Sequence, residues 1–381
     1  MRTRILLVSQ LPPPVHGSTV MTQRFMEALA KAGFEVRMVE RIFSRRQEDV
    51  GKVSLGKVMK IPPLCLRLLT AVLRYRPDLC VFFITVGFGS FLVDCLLLLI
   101  LRLFRVEYVV YMHGIGLKKW TKESVLPERY LAQKVLSSAL GGIVLGESLK
   151  DDVIDCIPDS RLAVVPNGIP DMAADSKEIN SLSKCGEDPH RPVTLLFLAN
   201  LLPSKGPLAF LQMARRVSAE EKNVRFILAG PPRSKQYADR LMDFIIRHKM
   251  QHLVTMPGGV YGKAKDRLFR KADIFVFPSS KEIFGIVNLE AMMWGLPVIS
   301  SPIGAIPEIV IDEVTGYIIA PHDLEKLADR ALKLIRDPKL RHSMGQKGRE
   351  RYEKEYSITM FERKVKDTVD FFLSLKAELT K

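Results

Sequence analysis

The chain has 381 residues, 47% hydrophobic and 26% charged, which excludes global disorder and leaves room for two domains at about 100–200 residues each. The net charge of +15 is concentrated: residues 1–134 hold 21 Lys/Arg against 10 Asp/Glu, while the remaining 247 residues contribute only +4. The five cysteines, Cys65, Cys80, Cys95, Cys156 and Cys185, are odd in number and contain no C-x-x-C pair, so a reducing compartment with free thiols is expected rather than a disulfide or metal framework.

In chain order, residues 4–9 form an apolar run predicted to be a first strand. Only Ile5, Leu6, Leu7 and Val8 are consecutively apolar, short of the roughly 7–15 of a secretory signal. A proline loop, Leu11–Gly17, leads to a helix over 18–31, with Phe25, Met26, Leu29 and Ala30 on one face and Gly33 as its stop. A strand follows at 35–40. In 56–76, Lys57, Lys60, Arg67, Arg74 and Arg76 alternate with aliphatic residues. Such a basic amphipathic helix either lies in lipid headgroups or is a core helix whose arginines snorkel to solvent. Residues 81–101 carry one charge, Asp94, and about 20 apolar residues can span a bilayer. Gly87 and Gly89 split the run, and an aspartate at the centre costs about 2.5–3.5 kcal/mol on insertion scales. A strand at 79–84, a turn and a helix at 90–104 are predicted instead, the helix either buried or embedded in a membrane on one side. More strands are expected near 107–112, 142–145 and 162–165.

Residues 166–191 break this alternation with Pro166, Asn167, Gly168, Pro170 and Pro189, marking a domain boundary. A second run then predicts strands at 193–198, 224–229, 253–256, 273–277 and 297–300, with helices over 206–218, 235–248, 263–271 and 286–294, and only helices afterwards. The fold class is α/β, with an N-terminal domain over 1–175, a second over 190–355, and a C-terminal helix over 356–381 packing back toward the first. No zinc-finger or RNA-binding aromatic pattern accompanies the basic charge. Its mixing with long aliphatic stretches favours an anionic membrane surface over nucleic acid as partner.

Chemistry concentrates in one segment. The strand Ile274–Phe277 runs into Pro278-Ser-Ser-Lys-Glu282-Ile-Phe-Gly285, and a helix begins. Phe284, Gly285, Ile286 and Val287 therefore sit at a helix N-terminus, where unpaired N–H groups and the dipole suit a diphosphate. Glu282 precedes that helix and Glu290 lies inside it. Carboxylates accept sugar hydroxyls, so the two can hold a hexose and a ribose, although two glutamates eight apart are common by chance.

Glu282-x7-Glu290 enclosing Phe284-Gly285 resembles the signature of retaining glycosyltransferases of family 4, which have the GT-B fold. Ala199–Gly206 is similar to their donor phosphate loop. Pro166–Ile169 is similar to their linker entry, Gly304–Val310 and Thr315-Gly316 to the segments after the glutamates, Pro12–Ser18 to the first-domain glycine loop containing Gly17, and His113-Gly114 to the strand-end histidine. The resemblance spans about residues 4–355. It implies two Rossmann-like domains facing each other across a donor-binding cleft and transfer of a sugar from a UDP- or GDP-sugar. It also implies that Lys205 and Gly206 meet the phosphates, Glu282 the sugar hydroxyls, Glu290 the ribose, Phe284 to Val287 the donor through backbone, and His113 the sugar from the first domain. The plain alternative for His113 is a satisfied core histidine. Where the family commonly has an arginine, this chain has Asn200; Lys263 or Arg267 then offer a replacement cation.

No Asp-x-Asp pair or H-E-x-x-H spacing occurs, so no metal and no other cofactor is expected, and Lys205, Glu282 and His113 carry the catalytic expectation. The acceptor implied by a basic, apolar first domain is a glycan or polyprenyl-diphosphate-linked sugar in bacterial cell-surface polysaccharide synthesis. The location expected is cytoplasmic, peripheral on the inner face of the cell membrane. The rivals are a non-catalytic nucleotide-sugar-binding protein and another GT-B enzyme such as a sugar epimerase. A dinucleotide oxidoreductase is disfavoured, since no G-x-G-x-x-G follows the first strand.

Overall fold

The computed structural model describes residues 2–13, 17–41, 59–85, 88–114, 116–118, 126–174 and 191–379. Residues 14–16 of the proline loop, 56–58 of the basic segment and 175–190 of the expected boundary lie outside the described residues. Contacts divide the chain into two compact units, Met1–Asn167 with Thr359–Lys381, and Gly168–Ile358.

In the first unit the elements run β1 (Arg4–Ser9), α1 (Gly17–Lys31), β2 (Glu35–Glu40), α2 (Ile61–Tyr75), β3 (Leu79–Ile84), α3 (Phe88–Leu103), β4 (Tyr108–Met112), α4 (Leu126–Ser137), β5 (Gly141–Val144) and β6 (Leu162–Val164). The described strands form a parallel sheet in the order β2-β1-β3-β4-β5-β6. Helices cover both faces of such a sheet, so its strands must be apolar on both sides; Ile5 to Val8 and Leu79 to Val81 are accordingly buried. From β1 the chain moves one way to β2, then returns across β1 to β3 and onward. Right-handed crossovers put α1 on one face and α2, α3 and α4 on the other, and α3 packs between α2 and α4.

The second unit continues with β7 (Val193–Leu198), α5 (Pro207–Glu220), β8 (Val224–Ala229), α6 (Lys235–Arg247), β9 (Val254–Gly258), α7 (Lys263–Lys271), β10 (Ile274–Phe277), α8 (Ile286–Met293), β11 (Val298–Ser300), α9 (Ile306–Ile309), β12 (Gly316–Ile318), α10 (Leu324–Arg336) and α11 (Pro338–Arg351). Its strand order is β12-β11-β10-β7-β8-β9. The expectation of helices alone after residue 300 fails at β12, which pairs in parallel with β11. Three residues are too few for a strand period to register. The chain leaves β7 toward β8, while β10 lies on the other side of β7. Ligands of open α/β sheets bind at such a switch point, beyond the carboxyl ends of the strands.

The last helix, α12 (Ile358–Leu379), belongs to the first unit from Thr359 onward. It buries Phe361, Val365, Val369 and Phe372, a stripe at helical spacing. Phe361 meets Phe25 of α1 at 6.5 Å between ring centroids, and Lys31 Nζ lies 2.5 Å from Glu362 Oε1.

Asp94, the one charge in the apolar run, is buried within the first unit. It pairs with the buried Arg41 guanidinium and accepts from Thr85 N at 2.7 Å and Thr85 Oγ1 at 2.6 Å. Burial pushes its carboxyl up and Arg41 opposes that. Among the described residues no helix is long and apolar enough to cross a membrane.

Candidate functional site

β7 and β10 are neighbours that end at Leu198 and Phe277, and the loops leaving them are fastened together. Ser280 N donates to Ser204 O at 2.8 Å and Ser279 Oγ donates to the same oxygen at 3.1 Å. The junction admits only glycine at position 206. Its φ is +80°, and an added Cβ would stand 2.1 Å from Pro278 O. Gly206 opens α5 and Gly285, with φ +78°, opens α8, neither helix having a side-chain cap. First-turn N–H groups left without a cap make each terminus electropositive and suited to an anion.

Between these termini stands Lys205. Its ammonium lies 2.7 Å from Glu282 Oε2, 2.9 Å from Lys281 O and 5.9 Å from the centre of the Phe277 ring. The second oxygen of Glu282 accepts from Ile283 N at 3.0 Å. Lysine and glutamate are both mostly buried. The carboxylate is thus held from two sides, by the next residue's N–H and by a lysine 77 positions earlier in the chain. Ile286 and Val287 are half-buried in the first turn of α8. Phe284 turns its ring into the second unit, edge-on to Tyr356 at 6.3 Å, so its backbone is what remains for a ligand.

Glu290 has a partner that the sequence did not reveal: Lys265 Nζ lies 2.5 Å from its Oε1. The alternatives proposed for the missing arginine, Lys263 and Arg267, are exposed on the same helix. A signal existed, since Phe269 is the buried residue of α7 and Lys265 sits one turn before it on the same face. Asn200 is exposed just beyond β7 and accepts from Leu202 N through its carbonyl.

Gly17 and His113 belong to the first unit. Gly17 begins α1 and is exposed. His113 follows β4, stacked on Phe83 at 5.3 Å and tilted against Tyr111 at 4.4 Å. Its Nε2 is shut off from solvent and has no partner among the described residues. Burial lowers its pKa from 6.5 to about 3, which keeps the imidazole neutral at physiological pH. The segment after it is clamped by Asp152, which accepts from Gly116 N, Leu117 N and Lys118 N at 2.9, 3.0 and 3.0 Å. Among the described residues no three His, Cys, Asp or Glu side chains are grouped so as to hold a metal ion.

Residues 180–351 match the family model described as glycosyl transferases group 1, and residues 15–171 match that of glycosyltransferase family 4. The chain belongs to the glycosyltransferases. An uncharacterized glycosyltransferase of Methanocaldococcus jannaschii is 32% identical to it over 200 residues, half of each chain. Alpha-maltose-1-phosphate synthase of Mycobacterium tuberculosis is 28% identical over 67% of this glycosyltransferase and 70% of its own length. A capsular polysaccharide biosynthesis glycosyltransferase of Staphylococcus aureus is 23% identical over 64% and 65%. Among solved structures, Anabaena HepE in complex with UDP aligns with a TM-score of 0.73 at 18% identity, over 97% of this chain and all of that one. Sucrose-phosphate synthase from Thermosynechococcus elongatus aligns with a TM-score of 0.72 at 19% identity, over 99% and 100%. These likenesses identify the fold as GT-B, built of two Rossmann-like domains, and the glycosyltransferase as an enzyme of the transferase class.

Proposed function

We propose that this glycosyltransferase takes a sugar from a nucleoside-diphosphate sugar, with retention at the anomeric carbon and without a metal ion, and passes it to a glycan or lipid-linked acceptor. The observation that carries the reading is Lys205 Nζ at 2.7 Å from Glu282, beside two helix N-termini without side-chain caps. The donor diphosphate takes the ammonium and the α8 N–H groups, which offset the charge that grows on the leaving phosphate. Glu282 and Glu290 accept hydroxyls of the sugar and the ribose.

In the reaction the bond from the anomeric carbon to the β-phosphate oxygen breaks as the acceptor oxygen attacks from the same face. The acceptor proton passes to a donor phosphate oxygen, and nucleoside diphosphate leaves. The UDP in the solved Anabaena complex makes a uridine donor the first to test. The capsular function of the Staphylococcus relative, with the basic first domain, supports a lipid-linked acceptor in cell-surface polysaccharide synthesis and work at the cytoplasmic face of a membrane.

The test is a thermal-shift panel of UDP, GDP and their sugar conjugates, read beside nucleoside diphosphate release. The wild type is stabilised by one diphosphate and further by its sugar conjugate. Glu282→Ala keeps most of the nucleotide shift and loses the sugar-dependent part. Loss of both refutes the role given to Glu282. A shift without release of diphosphate in the presence of membrane extract makes the protein a binder rather than a catalyst.

A further inference from the structure

On the first unit, α2 and α3 lie side by side on one face of the sheet. Each buries an inner side and presents an outer one. In α2 the buried positions are Leu64, Leu68, Ala71, Val72 and Tyr75. At 3.6 residues per turn, Leu66 and Leu73 point about half a turn away from the centre of that set, straight out from the sheet. They are 63% and 53% exposed, and Met59, seven residues earlier, is 71% exposed. An adjacent stripe with the same spacing of seven is basic: Lys60, Arg67 and Arg74, all exposed.

The outer side of α3 is apolar as well. Leu96, Leu99 and Leu103 are exposed, Leu103 to 77%, and Leu92, Val93 and Ile100 between them are half-buried. An ordinary surface helix turns polar residues outward; this one has leucine both toward the sheet and away from it. Arg102 and Arg105 stand exposed at its end. The sequence of α2 contains no acidic residue, and that of α3 contains only Asp94, which is buried against Arg41. The outward surface of both helices therefore combines exposed leucines with cations and offers no anion in return.

We infer that the outer faces of α2 and α3 form a docking surface for an anionic lipid bilayer, the leucines entering the headgroup boundary and the flanking Lys60, Arg67 and Arg74 meeting lipid phosphates. Apolar insertion and attraction to negative headgroups are the two sources of interfacial binding, and this surface carries both in register. A second copy of the chain fits poorly, since a two-fold contact of this face with itself sets arginine against arginine. The inference deepens the reading of a lipid-linked acceptor by naming the part of the molecule that reaches the membrane. It adds no requirement on the donor residues of the second unit.

The full chain is floated with vesicles of phosphatidylcholine alone and of phosphatidylcholine mixed with phosphatidylglycerol. The wild type is expected to float with the mixed vesicles only and to be released by salt. Arg67→Glu with Arg74→Glu lowers partitioning about tenfold or more, at about 1 kcal/mol per basic residue near the surface. Leu66→Ser, Leu73→Ser and Leu103→Ser together remove it. Both variants keep the wild-type circular dichroism and nucleotide thermal shift, so a donor reading that fails does so separately, in the wild-type shift. Absence of wild-type flotation overturns the inference, as does flotation unchanged in both variants. A wild-type dimer that the leucine variant converts to monomer also overturns it, assigning the face to a second copy.

Discussion

Lys265 Nζ lies 2.5 Å from one oxygen of Glu290, Oε1, and a carboxylate offers about four acceptor sites. The lysine thus orients the carboxylate and leaves the other oxygen for the ribose hydroxyl proposed above. Glu290→Gln should weaken binding of the preferred nucleoside diphosphate about tenfold, the loss of a hydrogen bond to a charged group, and should abolish any preference over the 2′-deoxy analogue. Lys265→Met should weaken it less, and the double variant should be no worse than Glu290→Gln alone. Titration calorimetry measures all four proteins; additive losses would exclude this coupling.

His113 makes stability depend on acid. Its folded pKa of about 3 lies below its ordinary 6.5, so between those values the unfolded chain binds a proton that the folded one does not. Stability is fully present above about pH 6.5 and falls as pH drops through that window, by up to about 1.4 kcal/mol per pH unit. His113→Phe keeps ring packing against Phe83 and Tyr111 and removes the proton. Urea midpoints at pH 7, 6, 5 and 4 should fall more steeply for the wild type than for the variant. Parallel curves would show that the imidazole is not held neutral by the fold.

The Arg41–Asp94 pair predicts an asymmetry. Asp94→Leu alone leaves a charged guanidinium buried and should cost about 3–5 kcal/mol. Arg41→Met added to it should recover part of the loss, because it removes the buried charge, while Thr85 N and Oγ1 still lack the carboxylate they donate to. Chemical denaturation measures both, and a double variant as unstable as the single one would contradict the argument.

Much of the fold is legible in the residues because a covered parallel sheet demands strands apolar on both faces. Val193–Leu198 and Ile274–Phe277 stand out for that reason. Elements that meet no such demand are harder to see. β12 has three residues, too few to be marked by period.

The site divides in the same way. Glu282 and Gly285 lie in one strand-to-helix turn and Glu290 in the helix that it opens, and local chemistry makes that turn an expected anion site from sequence alone. The contact of Lys205 with Glu282, that of Lys265 with Glu290, and the burial of Asp94 against Arg41 join residues from 25 to 77 positions apart. Periodicity reports that a face is buried, not what covers it. The strand order of each sheet makes that choice, by bringing the ends of β7 and β10 together in one unit and the ends of β2 and β3 within reach of α3 in the other.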